Sequence, residues 1–236
     1  MTQAPLRIAS YNMRKAMGTD RKRDPARILR VIQTLAADIV VLQEADMRLG
    51  PRPSALPMDQ VTAQTGLIAV PVPSEVSIGW HGNALLVRRG IDIVSGEALD
   101  LPTIEPRGAA CGEIVVEGHS LRVIGTHLNL SGLRRRDQIR SLLGFCNACD
   151  RNLPTVIMGD FNQWGRQTGA MREFAQGWHI VTPGRSYPSR QPVATLDRIV
   201  ASTHWNVVSS DVHHTALSTV ASDHLPVKAV LSLIKK

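Results

Sequence analysis

Five short polar clusters follow apolar, strand-like runs in this chain, and they carry side chains that bind metal ions or transfer protons. They contain Asn12, Glu44, His127, Asp160-Phe161-Asn162 and Asp223-His224. A strand that ends in such a group places it at the edge of a sheet, where the fold meets solvent and ligand. Five endings of this kind are hard to explain by packing, and we expect them to converge on one site.

Glu44 is the clearest candidate for a metal ligand. It follows the apolar run Ile39–Leu42, and a carboxylate in that position is costly unless it meets a cation or accepts hydrogen bonds. Mg2+ is bound by one or two carboxylates together with water and substrate phosphate. The alternative is a glutamate whose oxygens are satisfied by hydrogen bonds from the protein.

Asp160 and Asn162 flank Phe161 at the end of another apolar run. The alternation of side chains along a strand predicts that Asp160 and Asn162 point to the same side, with Phe161 turned into the core. Short polar residues also form turns at strand ends by bonding to their own backbone. The motif therefore allows either a functional or a structural role.

His224 and Asp197 form a second candidate group. A histidine that acts as an acid needs a carboxylate to fix its tautomer and support its charge. Asp197, in Leu196-Asp197-Arg198-Ile199, could be that carboxylate or an ordinary surface residue. His224 on its own could equally be a structural histidine.

The patterns that must position these groups predict many strands and few helices. Asp24 and Pro25 have the residue types of a helix N-cap and first helical position, and apolar residues follow at helical spacing. Further helices are expected toward Gln64 and over 133–149. The stretch from 165 to 192 is expected to be irregular, apart from one short helix around 171–174. Strands are expected at 6–13, 39–42, 67–70, 84–88, 91–99, 109–117, 121–127, 155–158, 196–201, 205–211 and 226–233. Interleaved in this way, they predict two packed sheets with helices outside, in a single domain spanning 1–236.

The composition is that of a soluble globular protein. Of 236 residues, 43% are hydrophobic and 20% are charged. The N-terminal residues do not have the pattern of a secretory signal, and apolar runs are too short to span a bilayer. We therefore expect a cytoplasmic protein.

The formal net charge of +7 favours an anionic partner. The basic residues cluster at Arg14-Lys15, Arg21-Lys22-Arg23 and Arg134-Arg135-Arg136. Each run could steer phosphate groups or form a solvated face. Aromatic residues make up only 4% of the chain, which disfavours a row of stacking platforms for single-stranded bases.

The polar clusters occur in a recognisable order. The series is Ser10-Tyr11-Asn12, Leu42-Gln43-Glu44, Thr126-His127-Leu128, Gly159-Asp160-Phe161-Asn162, Leu196-Asp197-Arg198-Ile199 and Ser222-Asp223-His224-Leu225-Pro226. It resembles the endonuclease/exonuclease/phosphatase superfamily, which includes pancreatic-type deoxyribonuclease, abasic-site endonucleases, neutral sphingomyelinases and inositol-polyphosphate 5-phosphatases. Compact bacterial members of unassigned substrate also share runs such as Gly82-Asn83-Ala84 and Glu105-Pro106-Arg107-Gly108.

The resemblance implies a fold, a cofactor and a set of site residues. The fold would be a four-layer α/β sandwich, with two mainly antiparallel sheets face to face and helices on the outer sides. The cofactor would be Mg2+ or Mn2+, bound at one edge of the sandwich. The metal group would be Glu44, Asn12 and Asp223, the catalytic group Asp160, Asn162, His224, Asp197 and His127, and the phosphate contacts Arg107 and Asn83.

Within the catalytic group, the resemblance implies individual roles. Asp160 would orient or deprotonate the attacking water, and Asn162 would help to hold water and phosphate. His224, paired with Asp197, would bind a phosphate oxygen and carry a proton, and His127 would contact the phosphoryl group. Either Asp160 or His224 could be the base.

Three functions are compatible with these residues. The leading one is a metal-dependent phosphodiesterase acting on nucleic acid or a related phosphodiester, because such hydrolysis needs charge neutralisation and an in-line water. The second is the same chemistry on a phospholipid head group or a phosphorylated small molecule. The third is a binding module without turnover, against which the complete set of site residues argues. The candidate specificity loops are Asp46–Pro57, Pro71–Gly82 and Trp164–Pro192.

Overall fold

The computed structural model describes residues 4–47, 50–74, 76–103, 107–149, 151–165, 167–174 and 177–234. Within these residues, twelve strands form two six-stranded sheets. The strands are β1 (Leu6–Asn12), β2 (Ile39–Gln43), β3 (Leu67–Ala69), β4 (Ala84–Arg88), β5 (Asp92–Asp100), β6 (Gly108–Val116), β7 (His119–His127), β8 (Thr155–Asp160), β9 (Trp178–Val181), β10 (Asp197–Ser202), β11 (Trp205–Val212) and β12 (Val227–Leu233). The α-helices are α1 (Pro25–Leu35), α2 (Met58–Thr65), α3 (Gly132–Ala148) and α4 (Ala216–Ala221), and 3-10 turns span Arg14–Ala16 and Gly169–Phe174.

The two sheets are mixed but mainly antiparallel, as predicted. The first has the order β11-β12-β1-β2-β4-β3, and the second has the order β5-β6-β7-β8-β10-β9. Each contains one parallel pair, β1 with β2 in the first sheet and β7 with β8 in the second. An α-helix, α1 or α3, connects the strands of each parallel pair, as such connections require.

Three apolar clusters separate four layers. The central cluster lies between the sheets and includes Ile8 and Val41 of the first sheet and Val123 and Met158 of the second. A second cluster joins the outer face of the first sheet to α1, α2 and α4. A third joins the outer face of the second sheet to α3 and the turn Gly169–Phe174. This arrangement confirms the predicted sandwich with helices on the outer sides.

Strand alternation divides each central strand between two of these clusters. In β2, Ile39 and Val41 face the other sheet, whereas Val40 and Leu42 face the helices. Because both faces of such strands are covered, their sequences are continuously apolar. The same alternation decides which polar residues at the strand ends point between the sheets.

Helix α1 begins where its sequence predicts. The Asp24 side chain accepts a hydrogen bond from the Arg27 N–H at 2.9 Å, and Pro25 occupies the first helical position. The helix buries Ile28, Leu29 and Ile32 against the first sheet. This helix sets the length of the crossover that brings β2 beside β1 in parallel.

Two elements differ from the sequence expectations. Strand β9 lies within the stretch expected to be irregular, and it forms the sheet edge by pairing with β10. Helix α4 has six residues, and a capping box formed by Thr215 and Ser218 stabilises its N-terminus. Both are too short for apolar periodicity to distinguish them from loops. No helix in the described part of the chain is long and apolar enough to cross a membrane.

Gly159 provides a test of how closely β7 and β8 approach beside the site. A Cβ atom at this position would lie 1.8 Å from the Thr126 carbonyl oxygen, whereas one at Gly144 in α3 would meet nothing within 4 Å. We expect Gly159→Ala to lower the free energy of unfolding by about 1–3 kcal/mol or more. Gly144→Ala should raise it by up to about 1 kcal/mol. Urea unfolding measures both, and equal stability of the Gly159→Ala variant and the wild type would contradict this packing.

Candidate active site

Three charged or titratable residues lie side by side across the second sheet. The strand register places His127 of β7 and Asp197 of β10 on either side of Asp160 in β8. Each lies an even number of residues from apolar side chains that face the first sheet, so all three point between the sheets. Asp160 and Asp197 are 1% and 0% exposed, and buried carboxylates of this kind require partners.

The Asp160 carboxylate is the centre of the site. Its Oδ2 accepts a hydrogen bond from Asn12 Nδ2 at 3.0 Å and lies 3.4 Å from His127 Nε2 and 3.7 Å from His224 Nε2. Its Oδ1 accepts the Asn162 N–H at 2.9 Å. Asn12 comes from the end of β1 in the first sheet, so one carboxylate joins the two sheets where the apolar core between them ends.

His224 and Asp197 form a buried hydrogen-bonded pair. His224 Nδ1 lies 2.9 Å from Asp197 Oδ2, which also accepts a hydrogen bond from the Ser186 hydroxyl at 2.5 Å. Burial alone would lower the pKa of His224, but the negative charges of Asp197 and Asp160 outweigh it and raise that pKa to about 10. At neutral pH the ring is therefore an imidazolium, with one N–H directed to Asp197 and the other facing Asp160.

His127, unlike His224, is uncharged. Burial lowers its pKa to about 3; the nearby Asp160 opposes this shift, and the positive charges of Arg107, His224 and Lys15 reinforce it. The ring is neutral at physiological pH. Two histidines that face the same carboxylate oxygen therefore differ in charge, an arrangement typical of sites that separate the tasks of charge stabilisation and proton transfer.

The predicted metal group lies at the same edge. Asn12 aligns with Gln43 in the parallel pair β1 and β2, so Glu44 follows directly beyond it. Glu44 has a φ of 53°, and its carboxylate forms an ion pair with the Lys15 ammonium. The Asn12 side-chain oxygen Oδ1 accepts a hydrogen bond from the Arg14 N–H at 3.2 Å.

Asp223 completes this group from the loop before β12. Its Oδ2 lies 3.2 Å from Arg14 Nε. The adjacent Ser222 hydroxyl donates to the Asn12 backbone carbonyl at 2.8 Å, which attaches the Asp223-His224 segment to the end of β1. Two consecutive residues therefore contribute to the site, Asp223 beside Arg14 and His224 beside Asp160.

These residues fit a hard divalent cation. Glu44, Asn12 and Asp223 offer carboxylate and amide oxygens, the donors that Mg2+ and Mn2+ prefer. The two carboxylates each already hold a side-chain cation, so positive charge is stabilised there. Ligand atoms of Asp160, Asp197 and His224 also lie within 4.8 Å of one another, but the short His224–Asp197 contact marks this second cluster as a hydrogen-bonded pair beside a carboxylate.

Asn162 and Arg107 meet at one backbone carbonyl. Asn162 Nδ2 and Arg107 Nη1 donate to the Leu128 oxygen at 2.8 Å and 3.2 Å. Asn162 has a φ of 50°, so it leaves the strand in a turn, as the structural alternative suggested, while Phe161 is fully buried as predicted. The role of Arg107 in binding phosphate stays a prediction, and Glu105 and Pro106, which precede it, lie outside the described residues.

Asn83 is fully buried. Its Nδ2 donates to the carbonyl oxygens of Gly108 at 2.9 Å and Trp80 at 3.3 Å. In this structure the amide connects the Trp80 loop to the start of β6, next to Arg107. Its role as a phosphate contact stays a prediction.

Two of the three basic runs are engaged within the protein more than their sequence suggested, whereas Arg21-Lys22-Arg23 is exposed. Arg14 and Lys15 pair with acidic residues of the site, and Arg136 lies 3.3 Å from Glu173. Arg135 donates to Gln163 Oε1 at 3.0 Å. Arg134 is exposed. These contacts leave less of the positive charge available to an extended polyanion than the sequence implied.

Tyr187 and Ser186 are site residues that sequence reasoning missed. The Tyr187 ring lies 4.8 Å from the His224 ring, centroid to centroid, and Ser186 supports Asp197 as described above. Both lie in the stretch expected to be irregular. Ser186-Tyr187-Pro188 carries no periodic signal, and only the tertiary fold brings it beside His224.

The charge on His224 gives a direct test of the pair. Asp197→Asn removes its nearest negative charge, so burial should dominate and the pKa of His224 should fall by several units from about 10. NMR titration of the imidazole resonances measures this, with Asp211→Asn at the surface as the matched control. A pKa of His224 that is unchanged by Asp197→Asn would contradict the assignment.

Proteins similar to this chain identify its family. The model of the Endonuclease/Exonuclease/phosphatase family matches residues 9–224, which include all the site residues above. The chain is similar to the Uncharacterized protein YbhP of Escherichia coli (strain K12), with 26% identity over 250 residues and 98% of both chains covered.

Two solved structures show the same fold at low identity. The Bacteroides thetaiotaomicron VPI-5482 mannosyl-6-phosphatase Bt3783 has a TM-score of 0.75 and 19% identity, over 97% of this chain and 100% of that one. D. rerio TDP2 complexed with single strand DNA product has a TM-score of 0.73 and 15% identity, over 97% and 99%. From the family match over most of its length, we conclude that the chain belongs to the endonuclease/exonuclease/phosphatase family.

Proposed function

We propose that this protein is a divalent-metal-dependent phosphoester hydrolase and that its main substrates are phosphodiesters. One observation carries the proposal: the buried Asp160 carboxylate lies 3.4 Å from His127 Nε2 and 3.7 Å from His224 Nε2, at the edge where Glu44 and Asp223 pair with cationic side chains. Phosphoester hydrolysis needs these elements, because negative charge on the phosphoryl oxygens must be neutralised while a water is deprotonated.

In the proposed mechanism, Asp160 is the base. It accepts a proton from the water that attacks phosphorus, and Asn162 helps to hold that water. Asp197 and Asp160 raise the pKa of His224, so we assign it the role of the acid: its Nε2–H stabilises a phosphoryl oxygen and protonates the leaving oxygen as the P–O bond breaks. Asp197 keeps the ring oriented, and the neutral His127 donates a hydrogen bond to the phosphoryl group.

Glu44, Asn12 and Asp223 would hold the metal ion. A bound Mg2+ or Mn2+ would neutralise charge on the phosphoryl oxygens. The preference for these ions over softer metals follows from the oxygen donors that the three side chains present.

Two candidate substrates are supported by different observations. The net charge of +7 and the DNA-bound D. rerio TDP2 of similar fold favour nucleic acid. The internal pairing of Arg14, Lys15 and Arg136, together with a neighbour that is a mannosyl-6-phosphatase, favours a phosphorylated small molecule or lipid head group. We place nucleic-acid phosphodiesters first.

The test is hydrolysis by purified protein with Mg2+ or Mn2+ of plasmid DNA, abasic oligonucleotide, RNA, phospholipids, sugar phosphates and inositol phosphates. We expect cleavage of nucleic acid that EDTA abolishes and that weakens with increasing salt. Glu44→Gln keeps the shape of the side chain but removes its charge, so turnover and Mn2+ affinity should fall together. The exposed Glu97→Gln is the matched control.

The substrate assignment and the metal assignment are tested by different results. Cleavage of lipids or small phosphoesters without any nuclease activity replaces the first substrate candidate with the second. Turnover that is unaffected by EDTA, or a Glu44→Gln variant that binds Mn2+ with wild-type affinity in calorimetry, would refute the metal assignment.

A further inference from the structure

The turn that follows β1 has an unusual backbone. Arg14, Lys15 and Ala16 have φ angles of 47°, 53° and 62°, in a left-handed region that residues other than glycine rarely occupy and almost never in succession. Hydrogen bonds hold the turn in place, from the Lys15 N–H to the Glu44 carbonyl at 3.1 Å and from the Ala16 N–H to the Met13 carbonyl at 2.9 Å. Unfavourable backbone that is fixed by its neighbours in this way is typical of functional sites.

This backbone directs two cations onto two carboxylates of the metal group. The Lys15 ammonium pairs with Glu44, and Arg14 Nε lies 3.2 Å from Asp223 Oδ2. The Lys15 and Glu44 side chains are 30% and 26% exposed, so water reaches the ion pair and its partners can exchange. The pair is therefore a reversible contact at the candidate metal site.

We propose that Lys15 is a resident counter-ion of Glu44: its ammonium neutralises the carboxylate in the metal-free protein, leaves it when a divalent cation binds, and then binds a phosphoryl oxygen of the substrate. This inference rests on the proposed function. It assigns to Lys15 a role in both metal affinity and substrate binding.

Competition for Glu44 follows from charge. An ammonium in contact with a carboxylate repels a divalent cation that approaches the same oxygens, so the ion pair must open before the metal ion can bind. Lysine suits such an exchange because its compact charge sits on a flexible four-carbon stem. An arginine would hold the carboxylate with a fixed, planar pair of donors.

The displaced ammonium has an anion-binding position within reach. Arg14, which precedes Lys15, donates its N–H to Asn12 Oδ1 at 3.2 Å, and Asn12 Nδ2 in turn donates to Asp160 Oδ2 at 3.0 Å. The ammonium is therefore close to the place where the proposed mechanism puts the phosphoryl group. Without a phosphoryl group, the Lys15 ammonium has no new anionic partner after it leaves Glu44. We therefore expect the protein to bind the metal ion weakly when no substrate is present.

Lys15→Met separates these effects, since it removes the competing charge and keeps the length of the side chain. In calorimetric titration with Mn2+ alone, we expect its Kd to be lower than that of the wild type by about tenfold. At saturating Mn2+, its KM for bis(4-nitrophenyl) phosphate should rise. Lys15→Arg should bind Mn2+ no more tightly than the wild type, and the exposed Lys22→Met should match the wild type.

Lys15→Gln provides a second neutral variant. Circular dichroism tests whether the Lys15→Met and Lys15→Gln proteins are folded. If the folded neutral variants bind Mn2+ with the wild-type Kd or more weakly, Lys15 is not a competitor and the inference is wrong. Failure of the proposed metal site is distinguishable, because the wild type would then bind no Mn2+ or would bind it as well as Glu44→Gln does. That result would overturn this inference together with the site on which it rests.

Discussion

The Asp160 carboxylate is 1% exposed and has lost nearly all contact with water. The residues around it supply the hydrogen bonds and positive charge that water would otherwise provide. The replacement comes from both sheets, through the Asn12 amide of β1 and His224 from the loop before β12 on one side and His127 of β7 on the other. Removing any donor would leave buried negative charge uncompensated, which is expensive. The hydrogen bond between Asn12 and Asp160 also fixes how the sheets meet at this edge, so the fold and the site depend on the same contact.

The position of the site follows from the two parallel pairs. In each sheet, one helical crossover makes two neighbouring strands run in the same direction, and their carboxyl ends meet at the same edge of the sandwich. Strand alternation then directs Asn12, His127, Asp160 and Asp197 into the space between the sheets, in line with the apolar residues of the central core. The core changes from apolar to polar at this end. Burial lowers the pKa of His127, whereas the negative charges of Asp197 and Asp160 outweigh burial and raise the pKa of His224.

Much of this could be predicted from sequence, because local patterns determine it. Asp24 and Pro25 start α1, the continuous apolar runs form doubly covered strands, and the polar residues that follow them mark the site edge. The resemblance to a family supplied the overall sandwich. Individual roles within the site stay proposals, since residue types alone do not decide which carboxylate binds metal and which accepts a proton.

What the sequence did not predict depends on distant parts of the chain. The place of Tyr187 beside His224 is set by packing of a segment with no periodic signal. The left-handed turn at Arg14–Ala16 is fixed by hydrogen bonds to Glu44 in another strand connection. The sequence alone allows the basic pair Arg14-Lys15 to steer phosphate groups or to form a solvated face, whereas the structure places it on two carboxylates of the site.

We propose above that Asp160 organises the site and accepts the proton of the attacking water. The most direct measurement is the turnover of Asp160→Asn on bis(4-nitrophenyl) phosphate at saturating Mn2+, with binding of the same compound measured in parallel. The substitution keeps the shape of the side chain but removes its charge and one of its two acceptor oxygens, and with them the base. The account predicts that turnover falls by roughly 10²–10⁴-fold or more while binding persists. A variant that retains a tenth or more of the wild-type rate would contradict it.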